Sequence, residues 1–361
     1  MPDPPDPDAS DRLLGLSEVA DLLQTSRTTV ANWRARRGNF PAPVADLKSG
    51  PIWRQADVLD WADAEGVQVV ESEPAAEPTN DGPGAKTVAV MNAKGGVGKS
   101  TLAANLGWYL AHQRNQRVLM VDLDPQFNLS QYVLGTAKYE AHLQQGKGTV
   151  LDVFEQATPT SVSKKERKAV SPSDVISRVK SWSDGSRIDL LPSSLELSWT
   201  VLNATGKEQL LANFLDQVRG AYDTIVIDCA PTESILTRAA YLATDKVLIP
   251  VKPEFLATVG LPLLVRSLSD FKSVYRQPVD VMGIVFNMTM ANGEHQRSKA
   301  YVRKEAANNC WDVFESEVSY SDSYPKGSRL GKPIFLTDYA RAYRISNFVS
   351  VAEEFVARLS A

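Results

Sequence analysis

Residues Lys94 to Thr101 read Lys-Gly-Gly-Val-Gly-Lys-Ser-Thr. Glycines packed this densely let successive backbone N–H groups face an anion at close range, and the two lysines add positive charge. The chemistry implied is the binding of a polyphosphate. Lys99 is placed to reach β- and γ-phosphates, and Ser100 to hold Mg²⁺ through its hydroxyl. Gly95, Gly96, Val97, Gly98 and Thr101 complete the cradle. The loop departs from the general G-x-x-x-x-G-K-[ST] pattern, because Ala93 stands where the first glycine is expected and Lys94 follows it. Lys94 opens the loop rather than closing it, so it is expected to project toward something other than the oxygens that Lys99 holds.

The flanking segments predict how this loop is presented. Thr87-Val-Ala-Val-Met-Asn92 is an apolar run suited to a buried strand, and Leu102 to Ala111 has the pattern of an amphipathic helix. A helix N-terminus then adds its positive dipole end to the loop's amides. Arg117-Val-Leu-Met-Val-Asp122 is a second strand, continuing into Asp122-Leu-Asp124-Pro-Gln126. Tyr222-Asp-Thr-Ile-Val-Ile-Asp228 is a third. An apolar run ending in aspartate places a carboxylate at the carboxyl edge of a sheet, where Asp228 can sit beside Mg²⁺. A helix N-cap is the alternative role for either aspartate. Further runs at Arg187–Pro192, Lys246–Val251 and Val279–Phe286 alternate with helical patterns. The expected fold is α/β, a mostly parallel sheet flanked by helices, with its ligand at the carboxyl ends of the strands.

The Lys94–Thr101 loop, the Asp122-Leu-Asp124 run and the Asp228 strand together resemble the deviant Walker-A ATPases of the ParA/MinD superfamily, a class of P-loop NTPase. The resemblance covers about residues 86 to 355. It implies that ATP and Mg²⁺ are bound, that Lys94 crosses a two-fold axis to the partner's nucleotide, and that ATP therefore assembles a homodimer. It also implies that Asp124 positions the attacking water, that Asp122 lies near the metal and that Asn287 contacts adenine. Pro250-Val-Lys-Pro-Glu254 is similar to a loop that flanks the base and the dimer interface; a short loop packed against the sheet edge is the alternative. Members of this family hold non-specific DNA through basic side chains. Candidates here are Arg297, grouped with Lys299, Arg303 and Lys304, and Arg329, Arg341 and Arg344, grouped with Lys326 and Lys332.

The chain has 361 residues and a formal charge of −4, which makes it longer than one average domain and acidic overall. Its two cysteines, Cys229 and Cys310, have no ligand spacing, so a disulfide framework or thiolate cluster is not expected. The acidic, proline-rich start is opposite in character to a signal peptide, and no apolar stretch approaches membrane-spanning length. The expected location is cytoplasmic and nucleoid-associated.

A separate unit is expected over residues 12–66, joined by a solvated linker over 67–85 to the ATPase domain at 86–361. The stretch 71–84 is rich in Pro, Ala, Glu and Gly and has no basic residue. Leu16–Leu23 reads as a helix starting at Ser17, Thr25-Ser-Arg as a turn, and Thr28–Arg37 as a second helix with Val30 and Trp33 inward. Arg27, Thr28, Asn32, Arg34 and Arg36 are left outward, as a helix in a major groove requires. With the segments after Phe40, this resembles MerR/excisionase-type winged helix-turn-helix domains. Residues 26–55 carry six basic side chains against Asp46 alone. Phosphate attraction acts over roughly 8 Å at physiological salt, so local charge decides over the acidic total. A small protein-binding module is the alternative.

The last helix carries Phe348, Val351, Ala352, Phe355 and Leu359 on one face, with Glu353, Glu354 and Arg358 opposite. That charge does not attract anionic lipid, so the apolar face is expected to pack on the sheet and no membrane is expected as a partner. The function expected is a plasmid-partition ATPase released from DNA by a ParB-like centromere-binding partner, with operator binding and autorepression through the N-terminal unit. A nucleotide-controlled transcription regulator and a positioning ATPase for a non-DNA cargo are the alternatives.

Overall fold

The structure is a computed structural model that describes residues 13–23, 25, 27–36, 38–47, 50–65, 67, 84–155, 170–202, 206–255, 257–276, 279–337 and 339–360. The chain divides into two compact units, Met1–Pro74 and Ala75–Ala361. Most of the expected linker lies outside the described residues.

The smaller unit contains β1 (Leu13–Gly15), α1 (Leu16–Leu22), α2 (Arg27–Arg36), β2 (Ala45–Leu47), β3 (Gly50–Arg54) and α3 (Gln55–Ala64). Its strands form an antiparallel sheet in the order β1-β3-β2. Few residues must build this core, so aromatic rings supply much of it. Phe40 lies edge-on to Trp61 at 4.7 Å and to Trp53 at 5.9 Å, over buried Val19, Val30 and Val58. Trp53 donates its indole N–H to the Pro41 carbonyl at 2.8 Å. Val30 is fully buried and Trp33 packs against the cluster, as the helical spacing requires.

In the larger unit β4 (Lys86–Val90), α4 (Lys99–Gln113) and β5 (Arg117–Leu123) are followed by α5 (Asn128–Leu134), α6 (Thr136–Gln144), α7 (Val150–Glu155) and α8 (Pro172–Val175). Next come β6 (Ser177–Ser181), β7 (Arg187–Leu191), α9 (Leu197–Leu202), α10 (Leu210–Val218), β8 (Thr224–Cys229), α11 (Ile235–Ala243) and β9 (Lys246–Val251). The remainder is α12 (Ala257–Tyr275), β10 (Asp280–Phe286), α13 (Gly293–Asn308), α14 (Ser323–Arg329) and α15 (Ala342–Ser360).

The seven strands lie in the order β10-β9-β4-β8-β5-β7-β6, and all neighbours are parallel except the edge pair β6–β7. Strand β6 has alternating half-exposed and exposed residues, which suits an edge and leaves no continuous apolar run to read in the sequence. Side chains alternate between the two faces with the strand period of two. Val118, Met120, Val226 and Leu248 face α4 and α15, whereas Leu119, Val121, Ile225, Ile227 and Ile249 face α10, α11 and α12. Helix α4 lies close on the sheet because Gly107 has no side chain. A Cβ there would meet the Met120 Cε at 2.2 Å. Phe348, Val351, Ala352, Phe355 and Leu359 are all buried in the α4-side core, so the last helix is a structural cover of the sheet.

Candidate nucleotide site

Strand β4 ends at Val90, and the chain turns through the glycine loop into α4. Gly96 and Gly98 adopt φ of 73° and 83°, left-handed conformations that side chains rarely take. Gly98 caps α4, and a Cβ on it would lie 2.5 Å from the Asn287 Nδ2. The loop is pinned at both shoulders. Asn92 donates to the Pro250 carbonyl at 2.8 Å and accepts from the Lys94 N–H at 2.9 Å. Buried Asn287 donates to the Val97 carbonyl at 2.8 Å, and its own oxygen accepts from the Met288 N–H. In this structure Asn287 therefore braces the loop from beneath.

The two loop lysines diverge. Lys99 is buried and donates from Nζ to the Lys94 carbonyl at 3.1 Å. Burial lowers its pKa, partly offset by its acidic neighbours, Asp228 first and then Cys229 and Asp124. Lys94 instead pairs with Glu254 at 3.3 Å in a niche shared with Asn92, Lys252 and Gly260. Glu254 also pairs with Lys252, and these contacts hold its carboxyl below the usual range, the Lys252 hydrogen bond first. The Pro250–Glu254 segment is thus the wall against which Lys94 rests.

Three carboxylates converge at the carboxyl ends of the central strands. Asp122 and Asp228 are register partners on neighbouring strands and both are fully buried. Asp122 is held by three donors: the Asp124 N–H at 3.2 Å, the Ser130 N–H at 2.8 Å and the Ser130 hydroxyl at 2.7 Å. Burial nevertheless pushes its pKa up to about 7, against the opposing effect of those hydrogen bonds. Asp228 is raised well above its ordinary value, by burial first and by Asp122 second. The Ser100 hydroxyl lies near enough to oppose that rise, but neither Asp228 oxygen meets a donor at hydrogen-bond geometry. Asp124 accepts from the Gln126 N–H at 2.9 Å, which turns the chain toward α5.

These elements enclose a cleft of about 460 Å³. Gly95, Gly96, Gly98, Lys99, Ser100 and Thr101 form its floor, Asp124 and Gln126 one side, and Met288, Tyr132 and Arg329 further walls. Lys94 is not among its lining residues. Two fully buried, unpaired carboxylate oxygens on Asp228, close to the Ser100 hydroxyl, are a suitable setting for Mg²⁺. Among the described residues no cluster of three or more His, Cys, Asp or Glu could hold a metal alone. Mg²⁺ held largely by phosphate oxygens and water needs no such cluster.

The basic residues singled out for DNA fall in different places. Arg297 and Arg341 are exposed, and Arg344 is half-buried, stacked 4.6 Å from the Tyr343 ring. Lys299 departs from the sequence grouping. It is buried, ion-paired with Glu317 and 5.7 Å over the Phe286 ring, so it is not a surface charge. Arg329, which local charge groups with Arg341 and Arg344, is exposed at the end of α14 and is one of the residues that line the cleft. In α2, Asn32, Arg34 and Arg36 are exposed, and Arg34 pairs with Asp46 at 2.7 Å. Arg27 and Thr28 lie on α2, but their side chains fall outside the described residues, as do Arg37 and Lys48. Sequence reasoning missed Asn92, Ser130, Tyr132 and the placement of Arg329. No short-range spacing links any of them to the loop.

Comparison with known proteins agrees with this geometry. Residues 85–281 match the family model described as an AAA domain. An uncharacterized protein of Methanocaldococcus jannaschii is 30% identical over 70% of this chain and 91% of its own length. The chromosome partitioning protein ParA of Caulobacter vibrioides is 28% identical over 76% of this chain and 94% of its own. Among solved structures, an ATP complex of a McdA variant from Cyanothece has a TM-score of 0.63 at 20% identity, covering 76% of this chain and 98% of that one. Cobyrinic acid a,c-diamide synthase from Mycobacterium smegmatis, solved with ADP and magnesium, has a TM-score of 0.53 at 25% identity, covering 68% and 91%.

Proposed function

The chain belongs to the AAA domain family, and we propose that it is a ParA/MinD-type DNA-partition ATPase whose ATP-bound dimer holds DNA and is released by partner-stimulated hydrolysis. The observation that carries this reading is the divergence of Lys94 from its own cleft, which leaves one loop lysine for the bound nucleotide and one for a neighbour.

In this reading the loop amides and Lys99 hold the phosphates, while Ser100, Asp228 and Asp122 provide the setting for Mg²⁺. Bound there, Mg²⁺ neutralises charge on the β- and γ-phosphates. Asp124, on the cleft wall, accepts a hydrogen bond from water and aims its oxygen in line with the terminal phosphorus. Lys94 exchanges Glu254 for the nucleotide of a second protomer, so dimerisation requires ATP. Hydrolysis is slow until a ParB-like partner contacts the dimer. Arg297, Arg341 and Arg344 supply the charge for DNA binding without regard to sequence. The N-terminal unit acts as a winged helix-turn-helix, with Asn32, Arg34 and Arg36 of α2 reaching base edges or phosphates of an operator.

A nucleotide-controlled transcription regulator is the second reading, favoured by the compact N-terminal unit and its exposed, basic α2. Binding to random-sequence DNA and to the gene's upstream region separates the two, measured with ATP, with ADP and without nucleotide at one salt concentration. ATP-dependent binding to random DNA, with upstream selectivity lost on removal of residues 1–74, is expected for partition. Upstream binding alone, whatever the nucleotide, makes the protein a regulator.

A further inference from the structure

Arg329 ends the short helix α14, more than two hundred residues from the phosphate loop, and still lines the same cleft. Its position is built rather than incidental. The turn after α14 closes through the Leu330 N–H to the Gly327 carbonyl at 2.9 Å and the Lys332 N–H to the same carbonyl at 3.0 Å. Gly327 leaves no room for a side chain, since a Cβ would lie 2.6 Å from the Lys332 carbonyl oxygen. That carbonyl in turn accepts from the Tyr132 hydroxyl at 3.1 Å.

Tyr132 connects this turn to the nucleotide-binding helix. Its hydroxyl accepts from Asn105 Nδ2 at 2.9 Å, and the same amide donates to the Thr101 carbonyl at 2.7 Å. The Asn105 oxygen accepts from the Ile334 N–H at 2.7 Å. Asn105 is fully buried and Tyr132 nearly so. A buried relay of this kind holds its members in one arrangement, because breaking any link leaves a buried polar group unsatisfied. The turn carrying Arg329 is therefore registered against the first two turns of α4.

We propose that Arg329 is a nucleotide-binding residue acting in cis, on the part of the nucleotide that ATP and ADP share. This rests on the cleft being the ATP site. The relay ties the turn that carries Arg329 to Thr101 and Asn105, in the first two turns of α4. In a phosphate loop the lysine reaches the β- and γ-phosphates and the hydroxyl holds the metal, while the loop amides that run into the helix cradle the α- and β-phosphates. A guanidinium there meets the α-phosphate or the sugar and base. Arg329 makes no hydrogen bond or ion pair to another described side chain, so its donors are available. Asn105, Tyr132 and Gly327 are positioning residues that act through it.

The test uses the full chain and measures Kd for ATP and for ADP by titration calorimetry, beside random-DNA binding at saturating ATP. Arg329→Gln is expected to raise both nucleotide Kd values by a similar factor of about five to thirty, with Arg329→Lys intermediate and DNA binding at saturating ATP unchanged. Tyr132→Phe, which keeps the ring but removes the link to Lys332, is expected to raise both Kd values in the same ratio by a smaller factor. Unchanged Kd values in Arg329→Gln overturn the proposal. A loss confined to ATP moves the contact to the γ-phosphate and also overturns it. A loss of DNA binding with normal nucleotide affinity returns Arg329 to the DNA surface. Lys99→Ala is run in parallel. Normal ATP affinity in that variant rejects the cleft itself, independently of Arg329.

Discussion

Lys94 Nζ lies 3.3 Å from Glu254 Oε2, and neither residue lines the cleft that Lys99 lines. Both side chains are partly exposed, at 21% and 35%, so the pair contributes only about 0–1 kcal/mol and is easily exchanged for another partner. That is the property a lysine needs if it is to leave its own subunit when nucleotide assembles a dimer. Lys94→Ala is expected to bind ATP as a monomer within a few-fold of the wild-type affinity. Glu254→Ala, which frees the lysine, is expected to dimerise at lower ATP concentration. Light scattering coupled to size exclusion reads both.

Asp124 and Lys99 separate binding from turnover. Lys99→Ala is expected to abolish measurable ATP binding. Asp124→Ala is expected to retain binding but lower kcat by about 100-fold or more, as loss of a positioned proton acceptor does. It should also accumulate ATP dimers on DNA. Normal hydrolysis in Asp124→Ala removes it as the water-positioning residue.

Gly98 and Asn287 form one unit beneath the loop. Gly98→Ala must take φ near 83° and place a methyl 2.5 Å from the Asn287 amide, so the loop must open. A Tm reduced by several degrees and a nucleotide affinity reduced at least tenfold are expected. Asn287→Ala leaves the Val97 carbonyl without its donor, at a cost of about 1–3 kcal/mol. Thermal melts with and without ATP measure both effects, and an unchanged melt in Asn287→Ala contradicts the bracing role.

The buried carboxylates set a pH dependence. A carboxyl raised in the folded state keeps its proton while the unfolded chain releases one, so stability falls as pH rises above about 4. For Asp122 the fall continues until the folded group ionises near pH 7, and Asp228 adds to it in the same direction. Nucleotide-free protein is expected to have a lower Tm at pH 7.5 than at pH 5.5. Asp228→Asn, which cannot ionise, is expected to flatten that slope and to lose the Mg²⁺-dependent gain in ATP affinity. A slope in Asp228→Asn equal to that of the wild type contradicts the assignment.

The parts legible in the sequence were those whose signal is local. Strands β4, β5 and β8 are apolar runs that end in a glycine loop or an aspartate, and the last helix spaces Phe348, Val351 and Phe355 on one face, so each announces its place. Strand β6 does not, because an edge strand needs only one covered face and its side chains are half-exposed. Local charge grouped Lys299 with its neighbours, but Glu317 and the Phe286 ring take it out of solvent. Arg329 reaches the cleft only because Asn105, Tyr132 and the Lys332 carbonyl join three distant segments, and nothing in the spacing of a single chain announces such a junction.

The most direct test of the account is sedimentation velocity of the full chain in the Asp124→Ala background, with Mg²⁺ and either ATP or ADP, beside the same variant carrying Lys94→Ala. A dimer with ATP, a monomer with ADP, and a monomer in both when Lys94 is removed are the expected results. One species under all conditions, or an ATP dimer that persists without Lys94, contradicts the claim that this lysine joins two protomers across the nucleotide.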